Sequence, residues 1–337
     1  MVVLLVPLLS FTTIAAVILP LFALAHTRWF AEGDVPPYMT YEPTALYLGA
    51  WALVALAVVA AGIYLERRGL LQLSFLHPRR DHAFPRAAAT FSMVAGAFFV
   101  IAGTHGYLFS PNLTLGAGVP YVLIVFQIVI GVAFLAGIYA RVAAIALALL
   151  WAAGFVFVGA LSMFEDVWVL STALFILIMG SDYFSLVPIR ALAHLTRRFH
   201  DYALPLLRIG TGVTLLILGF SEKILHPEFG INFLAEHHWN FMQLLGLEWY
   251  SDYLFTLSAG AVESLLGLIF ILGVITRLNA FILAAFFTIP MFILGPIELA
   301  GHLPHFAAVV LLLLFGGGTK LKVVGPLHRQ LRKKPHD

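Results

Sequence analysis

Apolar stretches of about 17 to 25 residues, separated by short polar connections, run along nearly the whole chain, each long enough for a helix to cross the hydrocarbon of a bilayer. They fall at 2–26, 44–65, 87–109, 119–139, 141–162, 166–187, 203–225, 251–275, 278–297 and 302–318. The pattern predicts an all-α polytopic integral membrane protein with about ten transmembrane helices. The first stretch ends in Ala23-Leu24-Ala25, which resembles a leader-peptide cleavage site. No Lys or Arg precedes it and it is longer than a leader's apolar segment, so it is read as a retained helix.

Charge then orients the helices. Alternate connections hold Arg67, Arg68, Arg79, Arg80 and Arg86, then Arg141, then Arg190, Arg197 and Arg198, then Arg277, and the tail holds Lys320, Lys322, Arg329, Arg332, Lys333 and Lys334. The opposite connections hold Arg28 among Glu32, Asp34, Glu42, Glu165, Asp166, Glu228, Glu236, Glu248 and Glu298. Basic loops face the cytoplasm, which places both termini there. The basic tail suits anionic membrane lipid rather than nucleic acid. Composition agrees: 61% of residues are hydrophobic and 11% charged, against about 25% charged in soluble domains, so lipid must be the solvent. The chain has no cysteine, which excludes thiol chemistry and cysteine-ligated clusters within it.

An internal repeat appears under two shifts. At 116 residues, Gly96, Gly103 and Pro111 meet Gly212, Gly219 and Pro227; at 136 residues, Gln127, Gly131, Gly137, Arg141, Ala144 and Gly180 meet Glu263, Gly267, Gly273, Arg277, Ala280 and Gly316. One insertion near 228–250, rich in Phe, Trp, Leu and His, separates the registers and suits a lid or an interfacial anchor. Each copy holds an even number of helices, so the repeat is parallel. The layout is then two N-terminal helices (1–66), a basic cytoplasmic loop (67–85), a four-helix unit (86–188), a basic amphipathic link expected as a helix on the inner surface (189–202), a second four-helix unit (203–318) and a basic tail (319–337).

The second unit carries Arg208-Ile-Gly210, Gly219-Phe-Ser-Glu222-Lys223 and Pro227, then Glu263-Ser-Leu-Leu-Gly267 and Gly273-Val-Ile-Thr-Arg277-Leu-Asn-Ala280, then His302-Leu-Pro304. In order and spacing these resemble the DoxX family of four-helix membrane proteins. The resemblance covers 205–320 and, less closely, 86–188, where Ser92, Tyr107 and Gln127 stand in place of Arg208, Lys223 and Glu263. It implies a bacterial or archaeal inner membrane protein, of a family in which some members are subunits of a thiosulfate:quinone oxidoreductase.

Candidate chemistry centres on Glu263, about 18 Å from the inner end of its span. A carboxylate there costs about 2.5–3.5 kcal/mol to insert, so it should face the bundle interior, as a proton relay or ligand partner or as half of an ion pair with Lys223 or Arg208. Lys223, at about 28 Å along its own helix, and Arg208, at about 6 Å, are not level with it. Lys223 can also snorkel to the interface, and Arg208 can cap carbonyls or meet phosphate head groups. His226, His237, His238, His302, His305 and His105 gather on the outer side, but their spacings define no metal site. Glu263 and Lys223 are thus the expected catalytic pair, with Arg208, Glu222, His226 and His302 as ligand contacts and a quinone as the expected cofactor. No flavin, iron–sulfur or dinucleotide signature is present, so electrons would come from a partner protein or an external donor. A small-molecule or lipid transporter and a scaffold for a redox complex remain as alternatives.

Overall fold

The computed structural model describes residues 45–115, 118–188, 192–294 and 297–324. The expected span 2–26 and its leader-peptide alternative, Arg190 in the link, and the end of the basic tail lie outside the described residues. The described chain is helical, with no β-strand. In order its helices are α1 (Ala45–Arg68), α2 (Ala83–Thr104), α3 (Tyr121–Ala136), α4 (Ala140–Phe157), α5 (Ala160–Glu165), α6 (Val167–Met179), α7 (His194–Leu218), α8 (Glu228–His237), α9 (Phe241–Leu244), α10 (Asp252–Leu272), α11 (Thr276–Leu294) and α12 (Ile297–Phe315). Five are long and apolar enough to cross a membrane: α1, α2, α4, α7 with its continuation to Ile224, and α10. The apolar helices α3 and α6 are shorter.

Glycine sets the tightest crossings. A Cβ on Gly96 of α2 would lie 2.6 Å from the Gly131 carbonyl oxygen of α3, and one on Gly212 of α7 would lie 2.6 Å from the Gly267 carbonyl oxygen of α10. Both helix pairs therefore meet backbone to backbone, as small residues allow in membrane bundles. The core around α2, α3, α4 and α6 takes in Ala203 and Leu207 of α7 and Leu303, Ala307, Ala308 and Leu311 of α12, so the two halves of the chain share it. Helix α1 is different. It leaves Leu53, Leu56 and Tyr64 exposed and docks on α10 through Ala55, Val59 and Ile63 beside Leu265 and Ile269. Its ends are pinned by polar bonds: Tyr47 Oη reaches Ser258 Oγ at 2.6 Å, while buried Glu66 accepts from the Ile275 N–H at 2.9 Å and from Lys322 Nζ at 3.0 Å.

The link departs from its expected form. Residues 194–202 are the opening turns of α7 rather than a separate surface helix. Thr196 Oγ1 donates to the Ile178 carbonyl at 2.5 Å, Phe199 packs on the shared core, and Pro205 sits inside α7 without ending it. The insertion at 228–250 holds the short helices α8 and α9.

Because the Gly212–Gly267 crossing has no space for a methyl group, Gly267→Ala is expected to separate α7 from α10 and to cost about 1–3 kcal/mol. Thermal unfolding in detergent checks this. A melting temperature equal to that of the parent chain would show that the crossing tolerates the added carbon.

Candidate functional site

Beyond Leu218 the α7 backbone widens into a π-helical segment, Gly219–Ile224. Such segments add a residue to the turn, re-aim the side chains beyond it, and are frequent at functional sites. Here it directs both Glu222 and Lys223 inward. Gly260 of α10 packs on this segment, its Cβ position 2.7 Å from the Gly219 carbonyl oxygen and 2.8 Å from Lys223 Cβ. Glu263, three residues further along α10, is then only about 4.5 Å deeper. Lys223 Nζ meets Glu263 Oε2 at 2.5 Å, with 12% of the lysine side chain and 20% of the glutamate exposed, so the lysine turns inward instead of snorkelling to the surface.

The first half of the chain reaches this pair. Asn112 Nδ2 donates to buried Glu222 Oε1 at 3.4 Å. Buried Asp166 accepts from Ser110 Oγ at 3.0 Å and from Trp168 Nε1 at 2.9 Å. The Trp168 backbone N–H donates in turn to Thr214 Oγ1 of α7 at 3.0 Å, which ties the start of α6 to the second half.

Two cavities flank the ion pair. One, of about 50 Å³, is a mostly apolar chamber, walled in part by Leu215, Leu218 and Phe287, into which polar residues are set: Ser110, Asn112 and Asp166 from the first half and Glu263, His302 and His305 from the second. At about 10–15 Å³ per water it has room for about three to five. The other, of about 130 Å³, is almost wholly apolar and lies between α8 and α10, with Phe229, Phe233, Trp239 and Phe255 as walls. Lys223 and Glu222 line the apolar pocket, whereas Glu263 lines the chamber, so the Lys223–Glu263 bond is the junction between them.

Not all the expected site residues converge. Arg208 is fully buried but sits 15 residues before Lys223, about 22 Å away along the helix. Its guanidinium donates to the Phe270 carbonyl at 2.6 Å, near the end of α10, and to the Leu321 carbonyl at 2.7 Å, beyond α12, and so ties the two together. These bonds commit much of its guanidinium to backbone, at a distance from Lys223. His226 also lies outside both cavities, with its side chain 59% exposed and Nδ1 3.0 Å from Glu228 Oε1. His302 does line the chamber, its ring 5.3 Å from that of Phe287. Gln127 is buried, accepts from the Phe109 N–H at 2.8 Å and donates to the Phe99 and Tyr107 carbonyls. That side chain is used up in holding backbone. Among the described residues no group of three His, Asp or Glu is placed to hold a metal ion.

Sequence reasoning missed Ser110, Asn112 and Thr256, and read Asp166 as one of the acidic residues of an outer connection, although the 136-residue shift also aligns it with His302. That alignment was the available signal, since both residues line the chamber.

No family model, curated protein or solved structure matches the chain. The DoxX resemblance therefore stands on its motif residues.

Glu263→Gln removes the carboxylate that Lys223 holds, and about 3 kcal/mol of stability should go with it, the low end for a buried pair. The double change Glu263→Gln with Lys223→Met should recover most of that loss. Unfolding of the three variants and the parent in detergent checks it; additive losses would mean that the two residues are not coupled.

Proposed function

We propose that the chain is the integral membrane subunit of a redox system and that it binds a quinone in the aromatic pocket beside Lys223. The observation that carries this reading is an ion pair with an aromatic-walled apolar pocket on one side and, on the other, a small chamber that several ionisable side chains line. The residues fit such a group: apolar walls for the ring, a charged donor at its edge, and titratable groups behind that donor. Quinone reduction takes up two electrons and two protons, with the electrons supplied by a partner protein. The chain's own part would be to keep the ring dry, to hold a ring carbonyl through a hydrogen bond from the Lys223 ammonium, and to bring protons in by way of Glu263, whose carboxylate takes a proton from the chamber side before passing it on toward Lys223. The chamber then links Glu263 to the Asp166 side through water and the two histidines.

The same proposal covers the wider architecture: about ten spans in a bacterial or archaeal inner membrane, both termini cytoplasmic, and two tandem DoxX-like four-helix units. Several equivalences support the repeat. Gly96 on Gly131 and Gly212 on Gly267 are the same kind of crossing at the two sequence shifts. Arg141 donates to the Met179 carbonyl just before Gly180, and Arg277 to the Leu313 and Leu314 carbonyls just before Gly316. The two arginines cap corresponding helix ends.

Purified protein in nanodiscs, titrated with a short-tailed quinone, should show saturable quenching of Trp239 emission that Trp239→Phe removes. Lys223→Met should weaken binding roughly tenfold or more, as expected for loss of a charged donor. Quenching that never saturates, or that neither substitution alters, would overturn the reading.

A further inference from the structure

The chamber behind the ion pair has one end that polar side chains reach and one end that they do not. Its lining runs from Asn112, Glu165 and His302, which are half-buried, to Asp166 and His305, which are buried. Glu165 is the last residue of α5, at the junction with α6, and has no part in the site described so far. It and Glu263 both lie within electrostatic reach of Glu222. Titratable groups therefore continue from the surface to the ion pair. Glu165 and Asp166 come from the α5–α6 junction, Glu222 and Lys223 from the π segment, Glu263 from α10, and His302 and His305 from α12. Helix α11 adds only Phe287 to the wall.

Toward the other end the chamber stops. Thr214 and Leu215 are its deepest residues on α7. Leu215 belongs to a buried apolar cluster with Leu266, Phe270, Leu283, Val309 and Leu312, drawn from α10, α11 and α12. Phe270 stands seven residues beyond Glu263, and Leu312 seven beyond His305, so the layer is about 10 Å thick on both helices. Thr211 Oγ1 and Asn279 Nδ2, buried at this level, are committed to the carbonyls of Leu207 and Leu266. Arg208 lies on the far side of the layer. Close-packed apolar side chains to that depth leave no room for water and make the passage of a charge costly.

We infer that the chamber is a one-sided vestibule: water and protons reach Glu263 past Glu165, from the end of the bundle that carries α8, and not from the end that carries Arg208 and Arg277. In the orientation proposed above, the open end faces away from the cytoplasm. The access follows from the packing. Its consequence, that protons exchanged at the ion pair come from and return to that side alone, rests on the quinone reading. Glu165 is then the entry group, a carboxylate that meets solvent at the mouth and hands on to Asp166, the histidines and Glu263 behind it.

The chain has no cysteine, so an introduced thiol can be followed by itself. Full-length protein in sealed proteoliposomes would carry Thr214→Cys, on the chamber floor, or Val309→Cys, within the apolar layer. Glu236→Cys and Lys320→Cys, at exposed positions near opposite ends, identify the two sides. Silver ions are added to one side, and the thiols that remain are labelled after denaturation. Thr214→Cys should be blocked from the Glu236 side and not from the Lys320 side, and Val309→Cys from neither. Adding Glu165→Gln to Thr214→Cys should slow the block roughly fivefold, the effect of one charge about 4 Å from the path of the ion in water, and Glu165→Asp should restore the rate. Ser110→Cys, also in the chamber wall, takes the place of Thr214→Cys if that variant folds poorly. Block of the chamber thiol from the Lys320 side, from both sides or from neither would overturn the vestibule. An unchanged rate with Glu165→Gln would remove Glu165 from the entrance. In the same vesicles the affinity for a short-tailed quinone should follow the pH of the Glu236 side alone. Dependence on the pH of the Lys320 side would overturn the proton route, whereas no quinone binding at all would overturn the quinone reading and leave the silver result to decide the access.

Discussion

Gly212 against Gly267, and Gly260 against Gly219, hold α7 and its π segment backbone to backbone on α10. These contacts fix how far one helix can slide along the other, and that register decides which charges meet. It places Lys223 one turn from Glu263, within reach of a lysine side chain. With larger residues at the crossing the helices would stand apart, and two ionisable groups would face a costly interior separately. The close crossing also leaves α8 free to fold over the N-terminal part of α10, where Gly230 lands on Thr256 and the aromatic pocket forms beneath it.

The first half of the chain contributes walls and polar groups rather than a second copy of the site. Its Gln127 is committed to backbone groups of Phe99, Tyr107 and Phe109, so the position that matches Glu263 carries no acid. Ser110, Asn112 and Asp166 instead extend across the boundary to complete the chamber that Glu263, His302 and His305 close from the other side. Asn112 bonds to Glu222, the side chain that also lines the aromatic pocket. A duplicated unit that loses its own chemistry and lends its surface to its neighbour would give this division of labour.

Most of the helices were legible because lipid demands long apolar runs, and no such run can be mistaken for a loop. Gly96, Gly131, Gly212 and Gly267 were legible as matched positions in the chain, though not as contacts. The site was only half visible. Glu263 announced itself by depth, but helix length alone put Lys223 about 10 Å too far out. That arithmetic could not include the crossing register or the π segment, neither of which has a local sequence mark. The start of α7 was misplaced for a related reason: Arg190, His194, Arg197 and Arg198 gave the link 189–202 the look of a surface helix, although Phe199 and Thr196 anchor its second half to the shared core. Arg208 looked like a ligand contact for its charge, whereas its partners are the Phe270 carbonyl at the end of α10 and the Leu321 carbonyl beyond α12, which only the tertiary structure brings within reach. Thr256 was invisible, because an isolated threonine in an apolar helix gains meaning only when α8 covers it.

Whether a ligand in the aromatic pocket is felt by the carboxylates behind the ion pair can be read from infrared difference spectra of the purified protein before and after a short-tailed quinone binds. The expected result is a change in the carboxyl stretching region that shifts in heavy water and disappears in Glu263→Gln. Saturable binding with no carboxyl change, or a change that Glu263→Gln leaves intact, would contradict the role of the Lys223–Glu263 pair as the junction between pocket and chamber.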